Sequence, residues 1–312
     1  MFFFPLFDDN PTQRRPYVSW LIIAACIMVF FWQESLGPAH EREAIFQLGF
    51  IPANAFGITP LPADFALLPA WMTIFTSMFL HGGWMHIGGN MLYLWIFGDN
   101  VEESIGRIKF IFFYALCGIA AALAQSAIDP TSRIPMIGAS GGIAGILGAY
   151  LMLHPKAAIR TFVLIIVFVK FINLPAWIVL GIWIGGQFIA VPNALASDGG
   201  GVAYFAHIGG FAAGMILIPF FKRRDVPLFG RDDTPRQQWV GQPISFSTFK
   251  AEAHQRYRPS KMRDPLGSRR VSRLDSPTKG DSKTVEKAVR RSRHGSVPSV
   301  KRRPAEKRGP WG

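Results

Sequence analysis

Four polar side chains stand inside apolar stretches of this sequence: His86 and Asn90, Ser140, and His207. Burying such groups in hydrocarbon is costly unless they are paired or line a wet cavity, so each asks for a chemical reason. A serine and a histidine in hydrogen-bond reach make a nucleophile and a general base. The imidazole takes the hydroxyl proton as oxygen attacks a carbonyl, then returns it to the leaving amine. No Asp or Glu lies at the same depth in any apolar stretch, which points to a dyad whose histidine is oriented by packing or backbone. His86 and Asn90 are spaced i, i+4 and share a helix face. An imidazole and an amide donor aimed at one point suit a developing oxyanion, together with the backbone N–H of Ser140. Taken singly, each residue has an ordinary reading: a His-Asn pair bonded between helices, or a serine bonded to its own helix. It is their convergence in depth and chemistry that argues for a site.

That convergence rests on the elements that carry them. Crossing about 30 Å of hydrocarbon takes roughly 20 helical residues, and six spans are expected near 17–33, 85–99, 109–128, 137–153, 175–192 and 202–221. The second, fourth and sixth run inward from one side, and each candidate lies near the start of its span. At about 1.5 Å per residue, Ser140 and His207 fall roughly 5 to 10 Å below the same boundary. Gly141-x-x-x-Gly145 with Gly148, and Ala206-x-x-x-Gly210-x-x-x-Gly214, are ridges of small residues that let two helix backbones approach in lipid. Ser140 stands beside the first ridge and His207 beside the second.

Composition agrees with a bilayer. Half of the 312 residues are hydrophobic and the mean hydropathy is +0.24, usual for a polytopic membrane protein. The net charge of +13 does not describe the apolar body: residues 222–312 hold 24 of the 33 Lys and Arg and 9 of the 20 Asp and Glu. No specific nucleic-acid reader is expected from such a tail; its basic clusters suit an anionic leaflet. Its scarcity of large apolar residues predicts a largely disordered segment from about 223 to 312, in which 228–249 could dock locally. Cys26 and Cys117 each lie in an apolar run, so neither a disulfide framework nor a metal site is expected.

Arg14 and Arg15, Arg107 and Lys109, Lys156 and Arg160, and Lys222 to Arg224 fall on one side of six spans, against Arg42 and Arg133 on the other. The excess of positive charge predicts that both termini are cytoplasmic. The chain is expected to divide into a cytoplasmic segment 1–16, a six-span domain 17–222 and the basic tail 223–312, with a long external loop from about 34 to 84. Thr161 to Pro175 is apolar and β-branched but interrupted by Lys170, Asn173 and Pro175, and reads as strand-like rather than as a seventh span. Ile23-Ala-Ala-Cys26 imitates a lipoprotein signal, but the apolar run continues through Phe31, so no cleaved signal is expected.

Gly138-Ala-Ser-Gly141, Ala206-His-Ile-Gly209 and His81-x-x-x-x-His86-x-x-x-Asn90 together resemble the rhomboid family of intramembrane serine proteases. The match runs in order from Asp8-Asp-Asn-Pro-Thr12 to about Lys222. The resemblance implies an all-α six-helix bundle with a water-filled cavity, Ser140 as nucleophile, His207 as general base, and His86 and Asn90 as oxyanion stabilisers. It implies structural parts for His81, Glu102, Gly138, Gly141 and Gly210. It further implies single-span membrane proteins as substrates, cut after a small residue where the helix unwinds near the external face, and no cofactor or metal. Many members carry an aromatic residue four positions after the serine, stacked on the histidine; here that position is Ala144, which leaves Tyr204 or Phe205 as candidates to pack against the ring. Two other classes fit the sequence less well. A proteolytically dead client-binding relative would usually lack one of Ser140 and His207, and a transporter would want acidic residues at mid-depth. The six-span plan and the absence of a transit-like N-terminus point to a bacterial inner membrane.

Overall fold

In the computed structural model, residues 2–165, 168–195 and 203–230 are described; the greater part of the basic tail lies outside them. Six long helices make the bundle: α1 (Tyr17–Ser35), α5 (Trp84–Ile105), α6 (Arg107–Ile128), α7 (Ser140–Leu153), α8 (Ala176–Leu195) and α9 (Tyr204–Phe221). They coincide with the six expected spans, with one large shift at a boundary: α5 continues to Ile105, past the expected stop at 99. The polar run Asp99, Asn100, Glu102 and Glu103 reads as a helix end in contact with water, but the N-terminal segment supplies its partners. Glu102, only 3% exposed, accepts the backbone N–H groups of Val18 at 3.1 Å and Ser19 at 2.8 Å and the Ser19 hydroxyl at 2.9 Å. A carboxylate thereby satisfies the free amides at the start of α1 and meets the positive end of that helix.

By length and composition three of these helices, α1, α6 and α9, are apolar enough to cross a membrane, and Ser140–Leu153 and Ala176–Pro192 are shorter apolar helices. Large apolar side chains remain exposed along them, among them Leu21, Met28, Ile111, Ile189 and Phe220. A water-soluble protein would cover such a band; a lipid-facing one need not. Helix α7 is the most buried, with Ile143 to Tyr150 all inside. At about 1.5 Å per residue its 14 residues reach about 21 Å, short of a full hydrocarbon crossing.

The expected strand-like segment is a hairpin of β2 (Ala158–Ile165) and β3 (Phe168–Pro175), antiparallel and paired in register from Ala158↔Pro175 to Ile165↔Phe168. A third strand was not foreseen: β1 (Phe2–Asp8), in the segment expected to be a plain N-terminal extension, pairs antiparallel with β2. The motif that follows it is a set of hydrogen bonds. Asp8 accepts the Tyr150 hydroxyl at 2.6 Å and Asn100 Nδ2 at 2.9 Å, and Asp9 accepts the Ala158 amide at 2.8 Å.

The loop between α1 and α5 holds α2 (Gly37–Leu48), α3 (Pro52–Ala55) and α4 (Thr73–Ser77). It reaches the chain before α7 through a two-way backbone pairing of Phe50 with Met136, and Gly138 N–H donates to the Ser77 carbonyl at 2.9 Å. These bonds fix the approach to Ser140. Residues 223–230 also dock: Arg223 N–H bonds the Ser104 carbonyl and Phe229 N–H the Met152 carbonyl.

Candidate active site

Ser140 is the first residue of α7, and His207 lies one turn into α9. The two helices touch backbone to backbone. A Cβ built on Gly210 would collide with the Gly141 carbonyl oxygen, and one built on Gly214 with the Gly145 carbonyl. Any larger side chain on this seam pushes α9 away, so the small-residue ridges set the distance between the two functional groups. Gly141 itself faces α6, where a Cβ would stand 2.6 Å from that of Ala121.

At that spacing Ser140 Oγ is 2.8 Å from His207 Nε2. His207 Nδ1 is 2.7 Å from Oε1 of Gln187 on α8. Amide oxygens only accept, so Nδ1 carries the ring proton and Nε2 presents its lone pair to the serine hydroxyl. Gln187 Nε2 in turn donates to the Trp183 carbonyl one turn earlier in α8, at 3.3 Å. The aromatic ring against His207 is Trp183, with centroids 5.7 Å apart, and Phe211 stacks on Trp183 at 6.1 Å. The position left small by Ala144 is thus compensated from the neighbouring helix, and Trp183 takes the place for which Tyr204 and Phe205 were the candidates.

His86 and Asn90 lie on one face of α5. Gly82 N–H donates to His86 Nδ1 at 3.2 Å, which puts the proton of a neutral His86 ring on Nε2. That nitrogen is 2.8 Å from the point a Cβ on Gly138 would occupy, and Ser140 Oγ is 3.6 Å from the same point. Gly138 has φ +121°, a conformation that side-chain-bearing residues avoid. The absent side chain leaves a small space bracketed by a hydroxyl and an N–H donor. Asn90 is buried, and its Nδ2 has no hydrogen-bond partner among the described residues. A buried amide donor left open in this way is available to a developing negative charge.

His81 is fully buried beside this group, its ring 5.3 Å from that of His86. Its backbone is clamped in both directions by Gln33: the His81 N–H donates to Gln33 Oε1 at 3.0 Å, and Gln33 Nε2 to the His81 carbonyl at 3.2 Å. Gln125 of α6 accepts the Ala206 amide at 3.3 Å, next to His207. Gln33, Gln125 and Gln187 were all missed from sequence, although each is a polar residue within an expected span. The rule that singled out His86, Asn90, Ser140 and His207 applies to them equally. Among the described residues no group of three or more His, Cys, Asp or Glu is arranged to hold a metal ion.

Comparison with known proteins agrees with the motifs. The Rhomboid domain family model matches residues 69–224, half of the chain. The chain is 29% identical over 199 residues to Rhomboid protein 1, mitochondrial, of Saccharomyces cerevisiae, covering 57% of this chain and 53% of that protein. It is 30% identical over 163 residues to Rhomboid protease GluP of Bacillus subtilis, covering 51% of this chain and 30% of that one. It is 28% identical over 241 residues to RHOMBOID-like protein 5 of Arabidopsis thaliana, covering 67% and 69%. The chain spans about half, or less, of the length of the first two of these relatives.

Proposed function

The chain belongs to the rhomboid family, and from that premise we propose that it is an intramembrane serine endopeptidase acting through a Ser140–His207 dyad. Family membership supports an intramembrane protease-type function. The observation that carries the residue assignment is the 2.8 Å contact between Ser140 Oγ and His207 Nε2, beside the donor-lined space over Gly138.

In this reading a substrate's membrane-spanning helix unwinds locally, because a helical peptide bond is shielded from attack. Ser140 Oγ adds to the scissile carbonyl carbon as its proton passes to His207 Nε2. The oxyanion takes hydrogen bonds from His86 Nε2–H, Asn90 Nδ2 and the Ser140 backbone N–H, a free amide at the start of α7. Collapse of the tetrahedral adduct breaks the C–N bond, and His207 Nε2–H protonates the leaving amine. Water then enters on the same base, its oxygen attacks the acyl-serine ester, and Ser140 Oγ recovers its proton. Single-span membrane proteins with a weak helix near the external face and a small residue at the cut are the substrate class, with both termini of the protease cytoplasmic.

The test is cleavage of a single-span reporter in proteoliposomes by the full chain and by Ser140→Ala and His207→Ala. The expected outcome is cleavage by wild type and reduction to background in both variants. Folded wild type that cleaves nothing in several lipids, or a Ser140→Ala variant as active as wild type, contradicts the proposal and moves a client-binding role to the front.

A further inference from the structure

We propose that Gln187 is a positioning residue for His207, so that the site works as a Ser140–His207–Gln187 triad rather than as an unsupported dyad; this rests on the protease reading above. A catalytic imidazole must present a lone pair at Nε2 toward the hydroxyl, which requires the proton on Nδ1 and a ring plane held in line. Soluble serine hydrolases often supply both with a carboxylate, but a carboxylate at this depth in a bilayer is expensive.

An amide gives the same acceptor without a charge. Gln187 Oε1 lies 2.7 Å from His207 Nδ1, close enough that the contact selects one tautomer. The orientation of the amide is itself determined: its NH2 group faces the Trp183 carbonyl of the same helix at 3.3 Å. That carbonyl can only accept, so the NH2 end belongs there and the oxygen points at His207. Trp183 and Gln187 are i, i+4 on α8 and therefore share a face. One presents a ring to the His207 imidazole at a 36° interplanar angle, and the other an acceptor to its Nδ1. A single helix turn thus fixes both the plane and the proton of the base. The rest of that turn, Ile184, Gly185 and Gly186, is apolar or lacks a side chain, leaving Gln187 as its one polar side chain.

The test compares Gln187→Leu and Gln187→Glu with wild type. Leu has similar bulk and no acceptor; Glu keeps the acceptor and adds charge. In Gln187→Leu, kcat for the reporter falls about tenfold with KM unchanged, the loss expected of one neutral hydrogen bond. Gln187→Glu restores kcat and moves the acid limb of the pH–rate profile to higher pH, because a facing carboxylate favours the imidazolium. A Leu variant with wild-type kcat and pH profile overturns the proposal, as does equal loss in both variants. A second readout does not depend on turnover: 15N NMR of histidine-labelled protein in nanodiscs, with His207 assigned through His207→Ala. Wild type shows the Nδ1–H tautomer and Gln187→Leu a mixture; an Nε2–H tautomer in wild type refutes the positioning role. If wild type shows the Nδ1–H tautomer and cleaves nothing, the protease reading fails while the placement of Gln187 stands.

Discussion

The bond from Gly82 N–H to His86 Nδ1 decides what His86 can do. A ring that accepts at Nδ1 donates at Nε2, and the donating nitrogen faces the space over Gly138. His86 is therefore suited to hold an oxyanion rather than to act as a base, while His207, which donates at Nδ1 and accepts at Nε2, is suited to the reverse. One backbone amide and one side-chain amide thus favour opposite tautomers in two imidazoles of the same chemistry. His86→Ala and Asn90→Ala are expected to lower kcat by about 10²–10³ each, the usual loss for one oxyanion donor, with little change in KM. Steady-state kinetics on the single-span reporter checks this, and a large KM effect at constant kcat would mean that these residues bind the ground state instead. Ser140, His86, Asn90 and His207 were legible in the sequence because each is an isolated cost in an apolar run. Trp183 was not, because an aromatic in a membrane helix costs nothing and carries no signal. Gln187 did carry one, of the same kind as Asn90, but it has no histidine one turn away in the sequence to mark it, as His86 marks Asn90.

At the level of elements, the proposed activity depends on how closely α7 and α9 approach. Gly214 sits where any Cβ meets the Gly145 carbonyl, whereas nothing lies within 4 Å of a Cβ on Gly185 of α8. Gly214→Val is therefore expected to separate the helices, abolish reporter cleavage and lower thermal stability. Gly185→Ala, with open space and a better helix former, should stay within about 1 kcal/mol of wild type. Melting curves and cleavage rates for the two variants test the pair, and a fully active Gly214→Val would show that the seam does not set the Ser140–His207 distance. This seam could be read from sequence, because small residues at four-residue spacing face one side of a helix. Strand β1 could not: its partner β2 lies about 150 residues away, and nothing local in Phe2–Asp8 distinguishes a strand from an apolar lead into α1. The same contacts explain why α5 runs on to Ile105, since the partners of its polar end come from the other end of the chain.

The family and the apolar helices make the whole molecule an integral membrane protein. Its N-terminal strand is fastened to the bundle by Asp8, whose carboxyl is pushed up to about 7 from an ordinary 3.8, chiefly by burial. The Tyr150 hydroxyl that donates to it works against this rise, and the charge of Asp99 adds to it. A carboxyl with a raised folded-state pKa stabilises the fold fully below the unfolded value, near pH 4, and that contribution is lost as pH rises through about 7. His154, held down to about 4 by burial, acts in the opposite direction as pH rises, so the informative quantity is the difference between wild type and Asp8→Asn. The melting temperature of Asp8→Asn relative to wild type is expected to increase from pH 5 to pH 8, because the neutral amide does not ionise; a constant difference would contradict this. The tail from residue 231 onward, with the expectation of disorder and of contact with an anionic leaflet, falls outside the described residues.

Whether Ser140 is a nucleophile activated by His207 within the membrane is decided by mapping a covalent adduct. Membranes containing the full chain are treated with a fluorophosphonate, and the modified peptide is sequenced by mass spectrometry. One adduct is expected, on Ser140 Oγ, absent from His207→Ala and outcompeted by an excess of single-span reporter. An adduct on another serine, or labelling of Ser140 undiminished in His207→Ala, would contradict it.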